Sequence, residues 1–183
     1  MQKFIAAIVV LVFAGLALVA PAAPLPRQSP EFSIVEPGGQ TVLLSSLKGK
    51  VVVVEFLFVK SDHCLRVIRM LEKLRGELGP HGFQPVGVVF DPPNTTVEGR
   101  LLAAQMTEYF KLTFPVGYTS KESVDSYLAR TQNETLSIPQ LVVIDRTGTI
   151  RATTGGRGAN VTLEDESTLR ALIAKLLDEG SSP

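Results

Sequence analysis

The run Val51-Val52-Val53-Val54-Glu55-Phe56-Leu57-Phe58-Val59 is apolar except for Glu55, and β-branched residues dominate it. A strand with one solvated face alternates polar and apolar residues. A near-continuous run instead predicts a strand covered on both faces. The residues that follow change period. From Asp62 to Leu78, Cys64, Val67, Ile68, Leu71, Leu74 and Leu78 fall at helical spacing, with Arg66, Arg69, Lys73 and Glu77 between them. An amphipathic helix is expected there, stopped by Gly79-Pro80. A buried strand passing into an amphipathic helix places this chain among layered α/β folds.

The rest of the chain continues the alternation. Phe32 to Val35 and Thr41 to Leu44 flank Glu36-Pro37-Gly38-Gly39-Gln40, which predicts an N-terminal β-hairpin. Pro85 to Phe90 is a further apolar strand, broken by Asp91-Pro92-Pro93. A helix is expected over Val97–Lys111, a short strand over Phe114–Tyr118 and a weaker helix over Glu122–Arg130. Gln140 to Asp145 and Thr149 to Ala152 straddle Arg146-Thr147-Gly148 as a second hairpin, and Leu163 to Leu177 closes the chain as a helix. Neither an internal repeat nor a low-complexity segment is present. The order predicts a central mixed sheet flanked by helices.

Lysine plus arginine number 18 and aspartate plus glutamate 18, so no basic field points to nucleic acid. The 183 residues suit one domain. Lys3 precedes an uncharged apolar stretch from Phe4 to Ala20, and Ala20-Pro21-Ala22 fits a small-x-small cleavage site. Residues 1–22 are therefore read as a signal peptide, the competing reading being an uncleaved membrane anchor. Both predict an exported, periplasmic or extracytoplasmic protein. Residues 23–31, with three prolines, read as a tether, and 32–180 as the folded domain. Asn94-Thr95-Thr96, Asn133-Glu134-Thr135 and Asn160-Val161-Thr162 match the glycosylation pattern, a short pattern that chance supplies often.

At the strand-to-helix junction stands Ser61-Asp62-His63-Cys64, the outline of a C-x-x-C redox motif without its first cysteine. Cys64 is the only cysteine, so the chain cannot close an internal disulfide. Thiol–disulfide exchange needs one thiolate to attack and a second thiol to resolve the mixed disulfide. In an oxidising compartment a lone cysteine is either buried and inert or pairs outside its own chain.

Three pieces resemble exported thioredoxin-fold proteins of the TlpA/ResA and redoxin (AhpC/TSA-like) type. They are Leu43 to Phe56 leading into the first core strand, Ser61-x-x-Cys64 at the junction, and the segment from Ser137-Ile138-Pro139 to Ile150. Their order along the chain matches as well. The resemblance implies a thioredoxin-like fold and a cis bond before Pro139, lying beside residues 61 to 64. It also implies that the backbone of Ile138 is exposed there to an extended substrate. Ser61 stands where that family's nucleophile would be and Cys64 where its resolving thiol would be.

A serine hydroxyl barely ionises near neutral pH, and the simplest role for Ser61 is to cap the helix by accepting from the amide of His63 or Cys64. Cys64 has two readings. Near a helix N-terminus, with Lys60, His63 and Arg66 close in sequence, its thiolate could be stabilised. In phase with Ile68 and Leu71, it could instead be an inert core residue. Because the family's junction is a surface notch, partial accessibility is expected. Any redox chemistry, and any part in cell redox homeostasis, would then be monothiol, with a protein or small-molecule thiol or disulfide as partner. The alternative is a non-catalytic module holding an extended peptide at Ile138 and Pro139. A weaker alternative is a peroxiredoxin-like antioxidant peroxidase, in which Ser61-x-x-Cys64 mimics that family's hydroxyl–thiol pair; peroxiredoxins share the fold and carry T-x-x-C with a proline four residues before the threonine. Leu57 stands there instead, and the arginine expected before the late strand is missing. Asp62, His63 and Cys64 are metal-ligand types, but neighbours on a helix diverge and His81 lies beyond the helix stop, so neither a metal nor a cofactor is expected.

Overall fold

A computed structural model describes residues 24–90, 96–130, 135–154 and 162–179. The leader read at 1–22, the Asp91-Pro92-Pro93 break and, except for single flanking residues, the three glycosylation matches lie outside these ranges. Among the described residues no helix is long and apolar enough to cross a membrane.

Among the described residues eight strands form one sheet: β1 (Arg27–Gln28), β2 (Ser33–Val35), β3 (Thr41–Leu43), β4 (Val51–Leu57), β5 (Phe83–Val89), β6 (Val116–Tyr118), β7 (Gln140–Ile144) and β8 (Thr149–Thr153). Their order is β1-β8-β7-β4-β5-β6-β2-β3. β4, β5 and β6 are parallel to one another, and every other pairing is antiparallel. The helices are α1 (Asp62–Leu78), α2 (Thr96–Phe110), α3 (Lys121–Tyr127) and α4 (Glu166–Glu179). This is the mixed sheet with an N-terminal hairpin that the sequence predicts.

β4 is central and all seven of its residues are buried, which explains its continuous apolar run. Val51, Val53 and Leu57 join α1, α2 and α4 in one core, whereas Val52, Val54 and Phe56 join α3 and the N-terminal hairpin in the other. Phe32, Phe56, Phe58, Phe90 and Tyr127 form an aromatic cluster in that second layer.

Some boundaries differ from expectation for physical reasons. Arg27 and Gln28 pair with Ile150 and Thr149, and Ser29 Oγ lies 2.9 Å from the Tyr127 hydroxyl. Part of the stretch read as a tether is thus an edge strand, because prolines flank but do not interrupt the two residues that pair. β5 starts at Phe83 rather than Pro85. β6 reaches only Gly87–Val89, so one side of β5 at Pro85 has no strand partner, and a missing N–H is tolerated there. α3 ends at Tyr127, before Ala129 at φ +53°. α4 starts at Glu166 because Asp165 Oδ1 accepts from the Thr168 amide at 2.9 Å, a side-chain cap.

Close packing of α2 on β6 makes one glycine indispensable. A Cβ at Gly99 would stand 2.2 Å from the Tyr118 ring. Gly99→Ala gains helix propensity but must lift α2 or displace the ring, so a net loss of about 1–2 kcal/mol is expected. Urea unfolding measures it, and a stabilised variant would disprove the contact.

Candidate functional site

The junction is built from the C-terminal end of β4, the N-terminal end of α1 and the start of β7. Ser61 is extended (φ −96°, ψ 111°) and its side chain accepts from the Cys64 amide at 3.4 Å. It is the expected cap. Asp62 sits in the first turn of α1, where a carboxylate suits the helix dipole. Ser61→Ala should cost about 0.5–1 kcal/mol by chemical unfolding, the lower half of the usual range because the bond is long. An unchanged midpoint would deny the cap.

Cys64 corrects the expectation of partial accessibility. It is 0 % exposed and unpaired, packed in the core with Val67, Ile68 and Leu71. The helical phase was the better guide: the first turn of α1 already turns this position into the sheet. Burial pushes the Cys64 thiol above its ordinary value of 9.0; bonds from Ser61 and the backbone at Phe58 pull the other way and lose. Proximity to a helix N-terminus does not offset removal from water.

Glu55 is the residue that sequence reasoning passed over. It lies opposite Gly87 on one side and Leu141 on the other, sharing the α1-facing side of β4 with Val53 and Leu57. It is 0 % exposed, and neither carboxylate oxygen has a hydrogen-bond partner among the described residues. Burial pushes its pKa well above 4.5, so the fold favours the neutral acid. The sign was legible: one charge within an otherwise apolar strand.

The Ile138–Pro139 bond is cis. Gln140, the next residue, pairs with Phe56 near the end of β4, which puts Ile138 and Pro139 at the same end of the sheet as Ser61. Ile138 packs against both cores, and its own N–H and C=O make no hydrogen bond among the described residues. The turn around Pro139 is held by the residue that follows β8: Thr154 Oγ1 accepts from the Leu141 amide at 2.6 Å and donates to the Pro139 carbonyl at 3.3 Å.

His63 Nε2 meets Glu164 Oε2 at 2.8 Å, tying the start of α1 to the turn before α4. The partner lies about a hundred residues away, and no local signal marks it. His81 is at the far end of α1, about 25 Å along the helix, where its carbonyl accepts from Arg146. Among the described residues no three His, Cys, Asp or Glu side chains are placed to hold a metal.

A family model described as the AhpC/TSA family matches residues 26–153, well over half of the chain. The chain belongs to the AhpC/TSA family. Solved structures agree on the fold. A candidate protein disulfide isomerase from Bacteroides thetaiotaomicron is 25% identical with a TM-score of 0.64, over 89% of this chain and 93% of that one. A thioredoxin-family thiol:disulfide interchange protein from Chlorobium tepidum TLS is 20% identical with a TM-score of 0.66, over 85% and 99%. A thiol:disulfide interchange protein from a Bacteroides species is 20% identical with a TM-score of 0.65, over 85% and 91%. None of the curated proteins matches. This AhpC/TSA member therefore has a thioredoxin-like fold and is related to thiol–disulfide oxidoreductases, with serine at the first position of its S-x-x-C.

Proposed function

We propose that this AhpC/TSA protein is an exported, non-catalytic thioredoxin-fold binding module whose Ile138–Pro139 junction holds an extended peptide. The observation that carries the reading is the burial of its one sulfur. A buried thiol can resolve a mixed disulfide formed beside it, but starting one requires an accessible thiolate. Cys64 is fully buried with its thiol pushed up, and Ser61 cannot substitute. The same burial weighs against peroxidase chemistry, which begins with a thiolate attacking peroxide. The backbone groups of Ile138, unbonded among the described residues and beside a half-buried apolar side chain, supply what an extended peptide pairs with. Export rests on the apolar N-terminal stretch and on the likeness to thiol:disulfide interchange proteins.

The test compares wild type, Cys64→Ala and Ser61→Cys. With glutathione and a small disulfide substrate, wild type and Cys64→Ala should both stay at the uncatalysed rate, while Ser61→Cys gains disulfide reductase activity. Turnover by wild type above Cys64→Ala would establish monothiol catalysis and overturn the reading. For binding, peptides selected on the immobilised protein should shift the amide resonances of Ser137 and Ile138. Selected peptides that bind elsewhere would remove the groove.

A further inference from the structure

The end of the sheet remote from Cys64 contains a cavity of about 230 Å³. It lies between the segment following β1, the turn and loop leading into β4, and the β7–β8 turn. Leu44, Leu47, Val52 and Ile144 give it an apolar wall, and Lys48 and Lys50 also line it. Val52 pairs with Ile144, whereas Phe56 pairs with Gln140. These two points on β4 are about 13 Å apart, so the cavity is separate from the Ile138–Pro139 junction.

The charges in this cavity are unevenly used. Two carboxylates line it, Glu31 and Asp145, and both are engaged within the fold. Asp145 Oδ1 accepts from the amides of Thr147 and Thr149 at 2.9 and 3.1 Å, and Oδ2 from Arg151 at 3.0 Å. Glu31 Oε1 accepts from the amides of Phe32 and Ser45 at 2.9 and 3.2 Å. Neither Lys48 nor Lys50 has an ion-pair or side-chain hydrogen-bond partner among the described residues. Both lysines stand exposed at the edge of the apolar wall. The Lys48 arm lies close to Gly148: a Cβ there would be 3.6 Å from Lys48 Cε, and the residue has φ +85°.

The walls are already in place. Ser29 N donates to Gly148 O, Gly49 N to Arg146 O and Leu44 N to Phe32 O, each at 2.9 Å. A ligand would therefore enter without ordering the backbone, which removes one usual cost of binding. A small concave site with an apolar wall and a few polar groups suits a ligand of the same division. Two cations select an anionic head, and the volume allows only a short apolar body.

We infer that this cavity binds small monocarboxylates carrying a short apolar tail, with Lys48 and Lys50 meeting the carboxylate. Hexanoate titrated into isotope-labelled full-length protein tests it through amide resonances. Saturable shifts are expected at Lys48, Lys50, Ile144 and Gly148. Acetate, which lacks the tail, and hexylamine, which carries the opposite charge, should bind at least about tenfold more weakly. The Lys48→Gln/Lys50→Gln variant should weaken hexanoate by about tenfold with an otherwise unchanged spectrum. Scattered or non-saturating shifts, equal binding of hexylamine, or full affinity in the double variant would each overturn the assignment. The outcome is independent of the peptide reading at Ile138, because the reporting residues lie at the other end of β4.

Discussion

Native protein near pH 8 should react with a thiol reagent at least about a thousandfold more slowly than the same chain in denaturant. Two effects multiply. Cys64 has no exposed surface, so a reagent must wait for α1 or its neighbours to open. Its thiol is also pushed above 9.0 by burial, so the thiolate fraction in the fold is below that of a free cysteine. Adding denaturant below the unfolding midpoint should raise the labelling rate in parallel with the population of open molecules. A native rate within about tenfold of the unfolded one would mean that the notch exposes sulfur. Monothiol chemistry would then replace the binding module as the leading function.

Replacing the ionisable group at position 55 should give the largest change in stability. The carboxyl of Glu55 has no partner for either oxygen among the described residues, and burial raises its pKa well above 4.5. Between the unfolded and folded values the native state holds a proton that the unfolded chain has released. Stability is thus fully present below about pH 4.5 and declines as pH rises through the folded value, by about 1.4 kcal/mol per pH unit within that window. Glu55→Gln cannot titrate, so its unfolding free energy should lose this decline. Glu55→Leu also removes the orphaned polar atoms and should be more stable than wild type by about 1–4 kcal/mol near neutral pH. Urea unfolding across a pH series measures both. If wild type and Glu55→Gln share one pH profile, Glu55 is not held neutral.

Much of this was legible along the chain because the signals were local. The apolar run at Val51–Leu57 implied burial on both faces, and it lies at the centre of the sheet. The spacing from Cys64 to Leu78 and the serine ahead of it implied α1 and its cap, which occupy the expected residues. Segments with weak or shared signals were harder. Arg27 and Gln28 have no apolar pattern of their own, and they form a strand only because the edge of β8 is open beside them. The Glu164 partner of His63 and the Thr154 clamp on β7 depend on residues distant in sequence.

The sequence alone established that no internal disulfide can form, since that needs two sulfurs and the chain has one. It also implied the α/β architecture, because hydrophobic period records which faces must leave water. Whether the remaining sulfur can react was a different kind of question. Sequence allowed Cys64 to sit in a notch or in the core, since both are compatible with the first turn of a helix. Tertiary packing chose the core, placing Cys64 with Val67, Ile68 and Leu71 on the side of the sheet that carries Glu55. Reactivity depends on solvent and on neighbouring charge, and both are set by what the fold brings together.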